Sequence, residues 1–283
     1  FFSSLHVSDR HKVINECYWP LIDMIDRNNF KISLEIPGST INEIKDIDPK
    51  LLIKIKDLIS QGKVDIIASG YLQMIWQLVP KNILEENIRL DKKIFIEEFG
   101  FYPEIFYLNE QCFSPDLVDY LGDLGFRAVI CEYENLATNK IISDGYNPST
   151  FISRNGCEIL LIWNSSYWFQ LFQRAVQSFS NKAFKKYTDL IKNHISEQNY
   201  LCLYGSDLEV FNFRPKRFHT EAKINYDEWE IIERIYSEIS SELILTSQIL
   251  DHDKDQFIKY PHDHFSCMAN PVYVKKQKKY LFS

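Results

Sequence analysis

The 283-residue sequence lacks several features that assign a chain to a common protein class. Its six cysteines include no C-x-x-C pair, and no apolar stretch approaches the roughly 20 residues of a membrane span. No signal peptide is visible, and no Gly/Ser/Pro-rich linker divides the chain. Single cysteines in apolar runs are typical of buried thiols in a reducing compartment. We therefore expect a cytoplasmic protein with no membrane span.

Excess positive charge and the common nucleotide and hydrolase motifs are also missing. The net charge is −7, which argues against a nucleic-acid partner. Gly122-Asp123-Leu124-Gly125 is predicted to end a helix and not to bind phosphate. No G-x-S-x-G nucleophile motif occurs. The sequence gives no reason to expect a cofactor.

What the sequence does contain is a regular alternation of strand-like and helix-like segments. Near-continuous apolar strands separated by helices indicate a parallel sheet covered by helices. The pattern recurs about every 30 to 45 residues over the whole length, which favours an α/β fold of the closed β/α-barrel type. We predict strands at 30–36, 64–70, 104–109, 127–132, 200–207 and 243–247, a hairpin at 150–163, and helices at 9–28 (with Pro20 as a kink), 49–61, 81–99, 115–124, 181–198 and 226–241.

Polar residues follow several of these strands. In β/α barrels the carboxyl ends of the strands line the active site. Buried carboxylates are costly unless they are paired or solvated, and any one of them could be a structural ion pair or a helix cap. Two facing carboxyl groups are what glycoside cleavage needs, one as acid and one as nucleophile. The strand-end candidates are Glu35, Ser69-Gly70-Tyr71, Asn109-Glu110, Glu132, Asp207 and Glu209.

Three motifs in order carry a family resemblance. They are "GKVDIIASGY" (62–71), "FGFYPEIFYLNEQCFSPDLVDYLGDLGF" (99–126) and "YLCLYGSDLEVF" (200–211). Together they resemble glycoside hydrolase family 57 over about residues 20 to 250. The resemblance implies an irregular seven-stranded (β/α) barrel, with Glu110 as nucleophile and Asp207 as general acid/base. It also implies that Gly62, Asp65, Gly70 and Tyr71 shape one wall of a sugar cleft.

The sequence departs from the family pattern at several positions. Asp65 stands where the family has Glu, Tyr107 where it often has Trp, and the His-containing first motif has no clean counterpart. We expect one barrel domain over residues 1–283. The family's first strand, and any C-terminal helical part, would then lie outside these residues. Stretches such as "CYWPL" (17–21), "SGYLQ" (69–73) and "NEQCFS" (109–114) most resemble family-57-like proteins of surface polysaccharide gene clusters.

The sequence thus predicts a retaining glycoside hydrolase or transglycosylase that acts on α-glycosidic linkages of a poly- or oligosaccharide. Glu209 lies two residues after Asp207 and would point to the same side of an extended chain. Core packing is an alternative role for the aromatic candidates, which also include Tyr167. Predicted substrate-binding residues are Glu209, Asn109, Tyr71, Gln73, Glu35, Trp76, Trp163 and Trp168.

Two alternatives remain open at this point. A metal-dependent polysaccharide deacetylase would need an Asp and two His on a related barrel. His252, His262 and His264 lie in the segment 251–264, which we expect to be a solvated loop without metal. A non-catalytic carbohydrate-binding barrel is the other alternative, although such a module has no need of both Glu110 and Asp207.

Overall fold

The computed structural model describes residues 5–138, 145–178, 180–196, 200–214, 221, 223–265, 273–274 and 279–280. The strands within these residues are β1 (Ile32–Glu35), β2 (Val64–Ile67), β3 (Ile105–Tyr107), β4 (Ala128–Glu132), β5 (Ser149–Ile152), β6 (Glu158–Asn164), β7 (Lys259–Pro261), β8 (Tyr273–Val274) and β9 (Lys279–Tyr280). The α-helices are α1 (Arg10–Val13), α2 (Trp19–Asn28), α3 (Gly38–Ile47), α4 (Pro49–Ser60), α5 (Lys81–Phe99), α6 (Pro115–Asp123), α7 (Tyr133–Thr138), α8 (Ser166–Gln177), α9 (Asn181–Ser196) and α10 (Glu228–Ser237). No helix of this described part is both long and apolar enough to cross a membrane.

Parallel pairing organises the main sheet. β1 pairs with β2, β3 with β4, and β4 with β6, all in parallel, while β5 forms an antiparallel hairpin with β6 and pairs with β7. A parallel bridge between Ala68 and Phe106 joins β2 to β3, so the strand order is β1-β2-β3-β4-β6-β5-β7. The predicted α/β class with parallel strands and helices is confirmed. Among the ladders of the described residues none joins β1 to β7, so closure into a barrel stays a prediction.

The two faces of the sheet pack against different side chains. On the inner face, Ile105 and Ile130 pack with Ile249, which belongs to a segment after the last helix. On the outer face, Phe106 and Val129 pack with apolar residues of α5 and α6. Burial on both faces explains why these strands are almost continuously apolar. Because side chains alternate between faces, residues two apart along a strand share one of them.

Helix boundaries follow local chemistry. Asp48 caps α4 by accepting the amide N–H of Lys50 at 3.1 Å. The helix α5 ends at Gly100, whose φ of 80° suits glycine. Pro20 lies in the first turn of α2, where proline is tolerated, and a π-helical turn over Ile14–Tyr18 separates α1 from α2. The predicted kink at Pro20 stays a prediction.

The predicted strand at 200–207 is wrong. Its described backbone forms no ladder, and the carbonyl of Gly205 instead accepts side-chain hydrogen bonds from Asn164 at 3.0 Å and Tyr107 at 3.4 Å. Polar side chains of β3 and β6, which flank β4, thus satisfy backbone that the sequence alone would pair in a sheet.

The predicted strand at 243–247 is wrong for a similar reason. The amide of Thr246 donates to Ser33 Oγ at 2.8 Å, and the amide of Ser247 donates to Asp65 Oδ2 at 2.7 Å. These side chains stand opposite each other in the β1–β2 ladder. They hold the start of a 3₁₀ helix, Thr246–Asp251, whose Ile249 packs on the inner face.

Candidate active site

Polar side chains stand at the carboxyl ends of four parallel strands, at one edge of the sheet. Glu35 ends β1, Tyr107 ends β3, Glu132 ends β4 and Asn164 ends β6. The period of two puts Tyr107 on the same face as Ile105, and Glu132 and Asn164 are register partners. We call this edge, defined by the four polar residues, the mouth. Parallel strands bring their carboxyl ends together, which is why residues far apart in sequence meet here.

Tyr107 stands at the centre of the mouth. Its hydroxyl accepts a hydrogen bond from Gln111 Nε2 and donates to the carbonyl of Gly205 at 3.4 Å. Asn164 Nδ2 lies 3.5 Å from the same hydroxyl. Burial raises the pKa of Tyr107 well above its usual range, and the nearby charges of Glu35 and Asp207 are among those that raise it further. The phenol therefore stays neutral and acts as a hydrogen-bond donor.

Glu35 lies on one side of Tyr107 with two donors of its own. Its Oε1 accepts hydrogen bonds from Ser69 Oγ and from Gln73 Nε2, the latter at 3.0 Å. Burial raises the pKa of Glu35, while these two hydrogen bonds act in the opposite direction. The structure thus brings Glu35 and Gln73 together as the sequence predicts. Tyr71, next to them in sequence, is half-buried and its hydroxyl lies 3.4 Å from Asn42 Nδ2.

Glu110 lies just after β3 and is exposed. Its φ is 53° and that of Gln111 is 57°, so two consecutive residues other than glycine adopt the left-handed region. Such residues cost about 1 kcal/mol or more each and cluster at functional sites. Asn109, just before them, is buried and donates from Nδ2 to the carbonyl of Ser69 at 2.9 Å. Backbone strain is thus concentrated at the residue that the family resemblance nominates as nucleophile.

Asp207 and Glu209 belong to the loop that follows Gly205, whose carbonyl accepts a hydrogen bond from the Tyr107 hydroxyl. Asp207 is half-buried, and its carbonyl accepts a hydrogen bond from the Tyr204 hydroxyl at 2.7 Å. The prediction that Glu209 continues an extended chain is wrong, because Leu208–Val210 forms a 3₁₀ turn. Glu209 is only 1% exposed, and Tyr18 donates a hydrogen bond to it at 3.4 Å. Glu209 therefore lies beneath the loop and contacts the first helical segment of the chain.

The three tryptophans proposed as sugar platforms are core residues. Trp76 is 2% exposed and contacts Phe106 edge-on at 5.2 Å on the outer face of the sheet. Trp163 is also 2% exposed, and its indole N–H donates to a backbone carbonyl at 2.7 Å. Trp168 is 6% exposed and packs in the helical core. Their rings have no open face on which a sugar could stack, so the core-packing alternative describes them.

A carboxylate pair at the end of β4 involves one residue that the sequence patterns do not single out. The amide N–H of Ser166, at the start of α8, lies 2.8 Å from Glu132 Oε1 and 3.2 Å from Glu134 Oε2. Glu134 also accepts hydrogen bonds from the hydroxyls of Ser165 and Tyr146. Burial, followed by the adjacent Glu134, raises the pKa of Glu132. The signal that could reveal Glu134 is its spacing of two from a strand-end carboxylate.

Three buried side-chain oxygens at the mouth have no hydrogen-bond partner among the described residues. They are Asn109 Oδ1, Glu132 Oε2 and Asn164 Oδ1. The amide nitrogens of both asparagines donate to backbone carbonyls, which fixes the remaining amide atom as oxygen. A buried polar atom without a partner is costly, and sugar hydroxyls or water can supply the missing hydrogen bonds because they both donate and accept. The mouth is therefore chemically suited to a polyhydroxylated ligand.

The histidines of segment 251–264 do not come together at the mouth. His252 lies 2.9 Å from the hydroxyl of Tyr200, and His264 stacks on Tyr260. His262 faces Asp116, on the outer side of the sheet. The described part of the chain therefore lacks the Asp-His-His group that a deacetylase of this barrel type would need at the strand ends.

Comparisons with known proteins concern the family and the fold. The model of the family described as glycosyl hydrolase family 57 matches residues 2–261. An alpha-amylase from Pyrococcus furiosus is 22% identical over 248 residues, which is 87% of this chain and 37% of the amylase. The chain thus spans a little over a third of the length of this relative.

Solved structures show that the fold is shared with more than one enzyme class. A 4-alpha-glucanotransferase from Thermococcus litoralis superposes with a TM-score of 0.68 at 15% identity, covering 88% of this chain and 36% of that one. A polysaccharide deacetylase-type protein from Mycobacterium smegmatis gives a TM-score of 0.60 at 13% identity, covering 89% of this chain and 82% of that one. At these identities the likeness concerns the fold alone, so the chemistry must be argued from the residues of the mouth.

Proposed function

The chain belongs to glycosyl hydrolase family 57, and on that premise we propose that it is the catalytic domain of a retaining glycoside hydrolase or transglycosylase. Its substrate would be a poly- or oligosaccharide with α-glycosidic linkages, since an alpha-amylase and a 4-alpha-glucanotransferase are among its relatives. The free thiols of the described cysteines support a cytoplasmic location.

In this mechanism Glu110 attacks the anomeric carbon, and Asp207 gives a proton to the departing oxygen. The glycosidic bond breaks and a glycosyl ester with Glu110 forms. Asp207, now ionised, takes a proton from water or from an acceptor sugar hydroxyl, which displaces Glu110 with a second inversion. Two inversions leave the configuration of the sugar unchanged.

The observation that carries this proposal is the position of Tyr107 between the two segments. Its hydroxyl contacts Gln111, the neighbour of Glu110, and the carbonyl of Gly205, two residues before Asp207. The charge of Asp207 also contributes to raising the pKa of this phenol. One neutral phenol thus links the segment of the proposed nucleophile to the segment of the proposed acid, as expected for residues that serve one sugar ring.

Further support comes from the residues that would surround the sugar ring. Glu35, Asn109, Glu132 and Asn164 would bind sugar hydroxyls, because three of them present buried oxygens that need hydrogen-bond partners. Glu35 is held by Ser69 and Gln73 and carries a raised pKa. We assign to it the role of orienting a hydroxyl next to the reacting carbon. Glu209 would support the Asp207 loop from below, since it is almost fully buried.

The test is turnover on α-glucans and on surface polysaccharides, with Glu110→Gln and Asp207→Asn compared with the unaltered chain. Loss of either residue should lower kcat by at least about a hundredfold, the range for acid/base and nucleophilic groups. Glu97→Gln is the matched control, because Glu97 is exposed on α5. Azide should restore cleavage to Glu110→Ala and invert the product anomer, which proton NMR measures. Equal turnover of both site variants and the control would rule out the assignment.

A non-catalytic carbohydrate-binding barrel is the rival that the same samples test. Such a protein would bind the polysaccharides by calorimetry with no turnover on any of them. Both site variants would then bind as the unaltered chain does, because neither carboxylate would have a chemical task. A loss of turnover with retained binding supports the enzyme instead.

A further inference from the structure

A second group of metal-ligand-type side chains lies on the outer face of the sheet, away from the mouth. Asp116 and Asp119 are three residues apart on α6, so they lie on one face of that helix. His262 follows β7 and contacts Phe151 edge-on at 5.9 Å. Phe151 belongs to the core cluster between the sheet and its outer helices. This group therefore shares no residue with the proposed active site.

The solvated loop predicted for segment 251–264 is wrong at His262, which is only 5% exposed. Its Nδ1 has no hydrogen-bond partner among the described residues, and the nearest acidic oxygen to it, on Asp263, is 3.5 Å away. Its Nε2 lies 3.3 Å from Asp116 Oδ1 and 3.5 Å from Asp119 Oδ2. The contact with Asp116 is a long hydrogen bond, and the contact with Asp119 lies at the outer limit for one. A buried imidazole thus faces two carboxylates through one nitrogen, while its other nitrogen has no partner among the described residues.

The same distances match those between the ligand atoms of a shared metal ion. Zinc bound at about 2.0–2.1 Å from tetrahedral N and O ligands holds neighbouring ligand atoms about 3.3–3.4 Å apart. The three ligand atoms all lie within 4.8 Å of one another. Asp119 Oδ1 accepts the backbone N–H of Arg154 at 3.3 Å, an outer contact of the kind that orients metal ligands.

We propose that Asp116, Asp119 and His262 form a binding site for a divalent transition-metal ion, with zinc as the best match. Three protein ligands leave a fourth position for water. The ion would tie the segment after β7 to α6 and so fix the outer layer of the sheet at this point. Its role is structural, because the mouth lies on the other face.

Arg154 would compete with a metal ion for the two carboxylates of this site. Its guanidinium lies 2.7 Å from Asp116 Oδ1 and 4.0 Å from Asp119 Oδ2, and it balances part of their charge. The side chain is 61% exposed, so it can withdraw into water when an ion binds. Removal of this positive charge should therefore raise metal affinity.

The test is zinc binding to the whole chain, measured by calorimetry and by elemental analysis after gel filtration. All samples carry Cys157→Ser, because that exposed thiol could bind zinc adventitiously. The parent should bind one zinc ion. Asp119→Asn and His262→Gln should each weaken binding at least tenfold, and Arg154→Gln should tighten it. Asp123→Asn, one turn further along α6, is the control and should bind as the parent does.

Two further measurements guard against unfolded variants and adventitious ions. Circular dichroism must show that Asp119→Asn keeps the helical content of the parent before its affinity is compared. Cobalt in place of zinc should give the strong visible absorption of a tetrahedral site, which His262→Gln loses. The proposal is overturned when the parent retains no zinc, or when Asp119→Asn and the control bind it equally. Neither outcome depends on glycosidase activity, so this test and the test of the proposed function are independent.

Discussion

Asp91 offers the sharpest test of how burial controls the electrostatics beside the mouth. It lies on α5, is 0% exposed, and accepts the N–H of Gly38 at 2.9 Å and the hydroxyl of Tyr102 at 3.0 Å. Gly38 begins α3, three residues after Glu35. A Cβ atom at Gly38 would stand 2.7 Å from Asp91 Oδ1, so glycine lets the backbone approach the carboxylate. Asp91 thus holds the loop after β1, which carries one wall of the mouth.

Burial raises the pKa of Asp91 to about 7, although the hydrogen bonds from Tyr102 and Gly38 act to lower it. In the unfolded chain an aspartate titrates near 3.9. The folded state therefore binds this proton more tightly, and its stability falls as the pH rises from about 4 to about 7. A difference of about three pKa units corresponds to about 4 kcal/mol over that range, of which about 3 kcal/mol lies between pH 5 and pH 8.

Asp91→Asn removes the titration and keeps an amide oxygen for the N–H of Gly38. We expect the free energy of unfolding of the unaltered chain to fall more steeply between pH 5 and pH 8 than that of the variant, by about 3 kcal/mol. Urea denaturation at four pH values measures both slopes, and Asp46→Asn, exposed on α3, is the matched control. Parallel slopes for Asp91→Asn and the unaltered chain would refute the assigned pKa and its cause.

Two other substitutions test contacts that hold the Asp207 loop. Arg214→Met leaves the 1%-exposed carboxylate of Glu228 without its ion-pair partner and should cost about 3–5 kcal/mol in urea unfolding; a loss below about 1 kcal/mol would contradict the buried pair. Gly205→Ala puts a Cβ atom 2.1 Å from Asn164 Oδ1 and should lower stability by about 1–3 kcal/mol, with a matching drop in melting temperature. Asn164→Ala in the same chain should recover part of that loss, and no recovery would show that the clash lies elsewhere.

Segments with strong local signals are predicted well by the sequence. The helix expected at 81–99 spans Lys81–Phe99, and the hairpin expected at 150–163 has its turn at Asn155-Gly156, where Gly156 has a φ of 79°. These signals are local, because helical periodicity and turn chemistry need no knowledge of distant residues. The helix α3 is not predicted from the sequence. The "IPGSTINEI" run has few apolar residues at helical spacing and no capping side chain at its start.

The two strands that the sequence predicts wrongly share one physical cause. In segments 200–207 and 243–247, hydrogen bonds from or to side chains of other strands replace the ladder. An apolar run predicts burial, but the partner that satisfies its backbone is set by tertiary contacts. The same holds for Glu209, whose position depends on a 3₁₀ turn that the alternation of residues does not reveal.

Glu110 and Asp207 show how much of the candidate site can be predicted from the residues that follow apolar segments. Because parallel strands end at one edge of the sheet, Glu35, Glu110 and Glu132 are predicted to lie close together in space although they are far apart in the sequence. It cannot predict the left-handed backbone at Glu110, because neither Glu110 nor Gln111 is a residue type that favours that region. Gln111 explains part of it, since its side chain reaches back to the hydroxyl of Tyr107 and so fixes the turn. A strained turn held by the Tyr107 hydroxyl supports the role proposed for Glu110, since a nucleophile acts best from a backbone that is positioned before the sugar arrives.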